Sequence, residues 1–341
     1  MNMKKISVLV VDDSRFAREF ISDLLSEDEH IRVAGYAENG AEALAKVAEL
    51  CPDIITMDID MPVMDGLEAI SRIMSLRPIP ILVLTSRDDA DTAYHAISKG
   101  ALEVMPKPDV NMDCAWELNR KIRLLSQVKV ISHIRRERQS ESAPLFAARM
   151  KNRCSKVIAI AASTGGPKAL AALLSAFPQN FPCPIVIAQH IASDFVSGLA
   201  TWLDKILALK VGIGETGKTL QPGTVYISPA SAHMKIGPGR TIAFRPRQSS
   251  DIYYPSCNIL LASAGEIYGS SAIGIVLTGM GNDGVQGLQV IKRAGGFTIA
   301  QDEKSSVIFG MPRAAIESGA VDSILSIPEM AAEIMQRVCE K

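Results

Sequence analysis

Short apolar runs alternate with amphipathic stretches along most of this chain, and that rhythm constrains its fold more than any other feature. In the first part, Ile6–Val11, Ile31–Ala37, Asp53–Met57, Ile79–Leu84 and Glu103–Met105 read as strands. Arg15–Leu25, Ala41–Glu49, Leu67–Leu76, Asp91–Lys99 and Cys114–Leu125 read as helices. This βα repetition implies a parallel sheet with helices on both faces. From Ser126 to Arg153 the rhythm stops: the stretch is rich in Arg, Lys, Ser and Gln, contains Pro144, and reads as a linker. Its beginning could prolong the preceding helix, and Arg135-Arg136-Glu137-Arg138 reads as a solvated part of it. A second α/β pattern starts at Val157. Its strands are Val157–Ala161, Ile185–Gln189, Thr224–Ile227, Ala272–Leu277 and Thr298–Ala300. Its helices are Pro167–Ala176, Phe195–Leu207, Ile259–Ile267, Val285–Ala294 and Ile327–Cys339. Two short runs around Gly237-Pro238-Gly239 suggest a hairpin between Met234 and Phe244. The expected fold class is α/β, with two doubly wound parallel-sheet domains at 1–125 and 154–341 joined by 126–153.

A length of 341 residues suits two domains, each able to bury its own core. The net charge of −1, from 36 basic and 37 acidic residues, argues against bulk nucleic acid or an anionic membrane as the main partner. Six scattered cysteines without a C-x-x-C pair point to reduced thiols rather than a disulfide framework. With no signal-peptide core and no apolar stretch of spanning length, the expected location is cytoplasmic.

The chemistry gathers at predicted strand ends. Asp58 follows the run Asp53–Met57, and Asp12 and Asp13 follow Ile6–Val11. In open α/β sheets these carboxyl ends border the ligand crevice. Carboxylates brought together there repel one another unless a cation intervenes, and an all-oxygen set suits Mg²⁺. Thr85 adds a hydroxyl and Lys107 a fixed positive charge. Such a group suits an aspartyl phosphate.

In the second half, Ala162-Ser163-Thr164-Gly165-Gly166-Pro167 follows a strand and opens a helix. The serine hydroxyl and nearby backbone N–H groups can serve a nucleophile, cradle a phosphate, or form only a turn. It is not the G-x-S-x-G elbow, because Ala161 occupies the first glycine's place. His190 also ends a strand, where a base for Ser163 is needed, and Asp283 lies in the loop after Ala272–Leu277, where it could orient that base. A rival reading takes Gly279-Met280-Gly281-Asn282-Asp283-Gly284 as a G-x-G-x-x-G dinucleotide fingerprint, with Asp302 as the ribose-binding acid. Against it stand the charge of Asp283 where a pyrophosphate would bind, and the short chain that follows.

Residues 1 to about 125 resemble a response-regulator receiver domain. The resemblance implies a flavodoxin-like fold, Asp58 as phosphoacceptor, and Asp12, Asp13, Asp58 and the backbone of Asp60 as Mg²⁺ positions. It gives Thr85 and Lys107 the phosphate-sensing roles. Val104 departs from the aromatic residue common three places before the lysine.

The second half resembles the catalytic domain of chemotaxis protein-glutamate methylesterases (CheB), a Rossmann-like α/β domain. The match runs through Ser163 to Pro167, Gln189-His190, Tyr226-Ile227-Ser228-Pro229, His233-Met234, Leu277 to Gly284, Gly295 to Glu303 and Gly310 to Ala315. A receiver joined to this domain is that family's architecture. The resemblance implies Ser163 as nucleophile, His190 as base and then acid, and Asp283 as orienting carboxylate. It also implies oxyanion donors on the backbone near Thr164 and Met280, with no cofactor in the catalytic domain. The departures are Ala161, Ile191-Ala192, Ala230-Ser231-Ala232 and Asn258, positions expected to shape the substrate groove. The implied activity is hydrolysis of glutamate methyl esters on chemoreceptor cytoplasmic helices, with deamidation of receptor glutamines, switched on by phosphorylation of Asp58. In the unphosphorylated protein the receiver is expected to cover the catalytic edge. The expected partners are methylated chemoreceptors and a chemotaxis-type histidine kinase as phosphodonor. No nucleic acid and no membrane insertion are expected, and the chain is expected to be a monomer. The competing classes are a docking regulator with the same fold and no esterase activity, and a DNA-binding regulator. No helix-turn-helix with a basic face is found for the latter in the second half.

Overall fold

The computed structural model describes residues 4–86, 90–109, 115–130 and 155–339. The chain divides into two compact units, one up to residue 137 and one from residue 138. Among the described residues no helix is long and apolar enough to cross a membrane.

The first unit is a five-stranded parallel sheet of β1 (Ile6–Val11), β2 (Ile31–Ala37), β3 (Ile54–Met57), β4 (Ile81–Thr85) and β5 (Glu103–Pro106), in the order β2-β1-β3-β4-β5. The strands are almost wholly apolar because helices cover both faces. Leu9, Ile54, Ile55 and Leu82 have no exposed surface, each contributing about 1.5–3 kcal/mol by burial. The helices Arg15–Ser26, Gly40–Leu50 and Gly66–Leu76 begin at Ser14, Asn39 and Asp65, whose side chains accept from the first-turn N–H groups of Ala17, Glu42 and Glu68. Ala90–Lys99 and Ala115–Leu125 complete the set, so four predicted helices stand within one residue of their expected ends. For the fifth, the C-terminal end agrees and the expected start, Cys114, lies outside the described residues. The last helix does not continue into the linker. The N–H groups of Gln127 and Val128 turn back to the carbonyls of Leu124 and Leu125, which closes it. Most of the expected linker lies outside the described residues.

The second unit holds a seven-stranded parallel sheet in the order β14-β13-β12-β6-β7-β9-β8. Its strands are β6 (Val157–Ala162), β7 (Ile185–Gln189), β8 (Lys210–Ile213), β9 (Thr224–Ile227), β12 (Ala272–Val276), β13 (Phe297–Gln301) and β14 (Ser323–Leu325). The antiparallel hairpin of β10 (Ala232–Gly237) and β11 (Thr241–Pro246) stands where the glycine-proline turn predicts one. Helices run over Gly166–Leu174, Val196–Ile206, Cys257–Tyr268, Val285–Arg293, Met311–Glu317 and Ile327–Cys339. Apolar patterning does not reveal β8, β14 or Met311–Glu317. Two are strands of four and three residues with partly exposed side chains, and the third is a helix of two turns, too short for a period to register.

Both sheets place their chemistry at a topological switch point. The chain leaves β1 for β2 on one side and crosses to β3 on the other, so the ends of β1 and β3 open a crevice between them. In the second unit it runs from β6 outward through β7, then returns to β12 on the far side of β6. The ends of β12, β6 and β7 are therefore neighbours.

Candidate active site

Register sets the first pair of the second unit. Ala162 of β6 lies opposite Gln189 of β7, so Ser163 and His190 leave adjacent strands at the same level. The His190 N–H donates to the Ala162 carbonyl at 3.0 Å, and Gln189 Nε2 donates to the carbonyls of Ser163 and His190 at 2.8 and 2.9 Å. Gln189, fully buried, therefore fastens the two loops together. Gly165 turns the chain after Ser163 with φ +78°, a conformation that side chains resist, and leads into the helix Gly166–Leu174. The N–H of Thr164 finds no acceptor among the described residues.

Asp283 comes from the other side of β6, in the loop after β12. Gly279 permits the approach, since a Cβ there would lie 2.6 Å from that of Ser163. His190 Nε2 lies 2.9 Å from Asp283 Oδ2. The same carboxylate accepts the N–H groups of Cys257 (2.7 Å) and Asn258 (2.8 Å) and the Ser256 hydroxyl (3.3 Å). It thus sits on the first turn of the helix Cys257–Tyr268, where partial positive charge collects. Burial on its own would raise the Asp283 carboxyl, but His190 and these N–H donors outweigh it and hold it below the usual range. The ring of Tyr253 stacks on His190 with centroids 5.2 Å apart. Tyr253 also donates its hydroxyl to Asn282 at 3.2 Å.

The structure brings Ser163, His190 and Asp283 to one sheet edge. Among the described residues no direct hydrogen bond joins Ser163 to His190. Nε2 is engaged by Asp283, which leaves Nδ1 without a hydrogen bond among the described residues. The dinucleotide reading of the Gly279 loop loses its structural basis. Asn258 Oδ1 accepts from the N–H groups of Gly284 and Gly287 at 2.9 and 3.0 Å, donors a pyrophosphate would require at that helix start. Asp302 accepts from the Ser305 N–H and hydroxyl within its own turn. Asn258, one of the positions expected to shape the substrate groove, braces the Asp283 loop through its side chain. The physical reason is its place one residue inside a helix whose start faces that loop.

Three further residues act on this edge, and of these only His233, in the matched His233-Met234 pair, carries a sequence signal. His233 is fully buried, with Nε2 2.8 Å from Asp251 and Nδ1 accepting the Ser256 N–H at 2.8 Å. Arg245 holds the other Asp251 oxygen at 2.6 Å. This chain of contacts ties the β10–β11 hairpin to the turn that carries Ser256 and hence to Asp283.

In the first unit, Val11 of β1 pairs with Met57 of β3, bringing Asp12 and Asp58 to one level. Lys107 Nζ stands 2.7 Å from an oxygen of each. Asp12, Asp13 and Asp58 each offer an oxygen within 4.8 Å of the others, a hard-donor set that fits a divalent cation such as Mg²⁺. Asp60, in the same loop, is exposed. Burial pushes the Asp58 carboxyl up to about 6 against the opposing pull of Lys107. Burial also works to lower the Lys107 ammonium, but hydrogen bonds to Asp12 and Asp58 dominate and raise it. Thr85 Oγ1 is buried without a hydrogen-bond partner among the described residues, so it is available to a phosphoryl oxygen. Arg18 belongs to no motif of the sequence. It is buried, donates to the carbonyls of Asp12 and Asp13 at 2.7 and 3.0 Å, and pairs with Glu38 at 2.6 Å. Its spacing to Ile21 and Leu25 on the apolar helix face is the signal that could have found it.

Comparison with known proteins agrees with both halves. The CheB methylesterase family model matches residues 158–334, and that of the response regulator receiver domain matches 8–113. The chain belongs to the CheB methylesterase family. A relative from Paramagnetospirillum magneticum, named protein-glutamate methylesterase/protein-glutamine glutaminase 3, is 43% identical across 97% of this chain and 96% of its own. One from Anaeromyxobacter dehalogenans, named as number 2 of the same pair of activities, is 43% identical across 96% and 95%. The solved CheB methylesterase catalytic domain of Thermotoga maritima covers 53% of this chain and 98% of its own, at 35% identity and a TM-score of 0.52.

Proposed function

We propose that this CheB-family chain hydrolyses glutamate methyl esters of chemoreceptors and deamidates receptor glutamines, in the cytoplasm, under control of a phosphoryl group on Asp58. The observation that carries the reading is the His190–Asp283 pair at 2.9 Å beside Ser163, on three adjacent strand ends. In the proposed mechanism Ser163 Oγ attacks the ester carbonyl while His190 Nδ1 takes its proton. Asp283, fixed by two N–H donors, holds the ring and stabilises the imidazolium. The developing oxyanion is received by the backbone N–H groups of Thr164 and Met280. His190 then returns the proton to the departing methoxide, releasing methanol, or to the departing amine of a glutamine, releasing ammonia. Water attacks the acyl-serine with His190 again as base, which frees the glutamate carboxylate and restores Ser163.

We assign residues 1–125 to the receiver, 126–153 to the linker and 154–341 to the catalytic domain. Asp12, Asp13, Asp58 and the Asp60 carbonyl are the proposed holders of Mg²⁺, which when bound would screen the charge of the incoming phosphoryl group. A histidine kinase of the chemotaxis type is the proposed phosphodonor. The phosphoryl oxygens would be met by Thr85 Oγ1 and Lys107 Nζ.

Methanol release from methylated receptor, measured with and without a small phosphodonor, tests the reading. The intact protein should release methanol faster with the phosphodonor, and Ser163→Ala should lose at least about 10⁴-fold in rate. Undiminished release by Ser163→Ala would exclude the serine mechanism.

A further inference from the structure

The Cys257 side chain stands inside the proposed catalytic constellation but has no part in the ester chemistry. Its Sγ lies 3.4 Å from His190 Nε2, and its backbone N–H holds Asp283. One sulfur, one imidazole nitrogen and one carboxylate oxygen from Cys257, His190 and Asp283 all lie within 4.8 Å of one another. Cys257 and Asp283 are buried, whereas the His190 side chain keeps 15% of its surface open and gives the group a face to solvent. We infer that Cys257, His190 and Asp283 form a second metal site that takes a thiophilic divalent cation, Zn²⁺ above all, and that its occupation blocks the catalytic base.

The donor spacing fits such an ion. Tetrahedral Zn²⁺ with Zn–S of about 2.3 Å and Zn–N or Zn–O of about 2.0 Å needs donor atoms about 3.3–3.7 Å apart. The Sγ–Nε2 separation is 3.4 Å, and the Nε2–Oδ2 separation of 2.9 Å opens by a few tenths of an ångström once the ion replaces the proton between them. Three protein ligands leave the fourth position for water or a substrate oxygen. Charge also balances, because Zn²⁺ is neutralised by one thiolate and one carboxylate, which suits a buried place. The Asp12–Asp13–Asp58 cluster differs in kind. Its donors are all oxygen and favour Mg²⁺, so the two sites sort two cations by softness.

Inhibition follows from proton accounting, and this part rests on the esterase reading above. Binding releases the thiol proton of Cys257 to solvent. His190 Nε2 gives its lone pair to the metal, so the ring proton moves to Nδ1. A protonated Nδ1 cannot accept from Ser163.

The test is titration of metal-free full-length protein with Co²⁺, a spectroscopic stand-in for Zn²⁺, in parallel with the methanol assay. One equivalent should produce thiolate-to-cobalt charge-transfer absorption that Zn²⁺ displaces and Mg²⁺ does not. Losing a ligand should weaken Co²⁺ binding beyond the about 10–100-fold typical of changes around a metal's ligands, so Cys257→Val, Cys257→Ser and His190→Ala should each lose the band. Zn²⁺ should inhibit methanol release reversibly, with chelator restoring it, and each Cys257 variant that is active should resist that inhibition. A wild-type protein without the band, or a band of equal strength in both Cys257 variants, would overturn the site. The two readings fail separately. A cobalt band in a protein that releases no methanol would sink only the esterase reading, whereas an active protein lacking the band would sink only the metal site.

Discussion

Asp58 shows how one buried residue can trade stability for reactivity. Its carboxyl is raised to about 6 in the folded protein, against about 3.8 for an ordinary aspartate, chiefly because burial strips water from the charged form. An acid with a raised folded value binds its proton more tightly when folded. The contribution of Asp58 to stability is therefore greatest below pH 4, falls as pH rises from about 4 to 6, and stays at the lower level above that. The shift corresponds to a cost on the order of 2–3 kcal/mol at neutral pH, which a cation or a phosphoryl group in the crevice would offset. Asp58→Asn should raise the unfolding midpoint of the first unit at pH 7 in chelator, and the advantage should vanish near pH 4. Thermal melts across that range check it, and a variant no more stable than wild type at pH 7 would contradict the argument. Asp283 is held the opposite way, as an anion. Asp283→Asn should keep the fold but lose about 10²–10⁴-fold in methanol release, since an amide can supply the wrong donor to His190 and favour the wrong tautomer. Activity within tenfold of wild type would remove Asp283 from its orienting role. Asp58, Ser163, His190 and Asp283 could be picked out in the sequence because each ends a strand or opens a helix beside glycine. Tyr253 and Arg18 could not, and the clamp made by Gln189 could not either, because these roles depend on which loops the fold brings within reach.

At the level of elements, the helix Cys257–Tyr268 is the piece that the sequence describes least well where it matters most. Apolar periodicity starts at Ile259, so the expected helix omits its own first turn. That turn begins at Ser256, whose side chain caps the Ile259 N–H, and it contributes the Cys257 and Asn258 N–H groups that hold Asp283. Helix starts are set by capping, which a hydrophobic pattern does not record. Asn258 then returns the favour by accepting from Gly284 and Gly287 at the start of Val285–Arg293, so two helix starts brace each other around the carboxylate. Asn258→Ala should cost about 1 kcal/mol in stability and lower kcat more than KM, because Asp283 loses its fixed position. Asn258→Asp supplies the same acceptor and should retain most of the activity. Denaturant unfolding together with steady-state methanol release on both variants tests this, and equal kinetics for wild type and Asn258→Ala would show that the brace is not needed.

At the scale of the whole molecule, each unit carries a complete sheet with its own site at its own switch point, so the two chemistries need no shared residue. The βα rhythm made both sheets readable, since buried parallel strands are nearly pure apolar runs. What the rhythm cannot convey is the long-range pairing that sets β12 beside β6 rather than at an edge, and this pairing is what delivers Asp283 to His190. Because the sites share no residue, Asp58 takes no part in the ester chemistry itself. Asp58→Asn should therefore abolish the response to a phosphodonor while leaving the unstimulated rate of methanol release within about twofold of wild type. Lys107→Ala should also blunt the response, because the phosphoryl oxygens lose their cation. A protein truncated to residues 154–341 retains every strand of the second sheet, and its counterpart from Thermotoga maritima has been solved as a catalytic domain alone. If the receiver restrains the esterase, the truncated protein should exceed the intact unphosphorylated protein in methanol release and ignore phosphodonor altogether. A truncated protein that folds, as judged by its melting transition, yet is no faster than the intact one would place control in activation by the phosphorylated receiver rather than in release from inhibition.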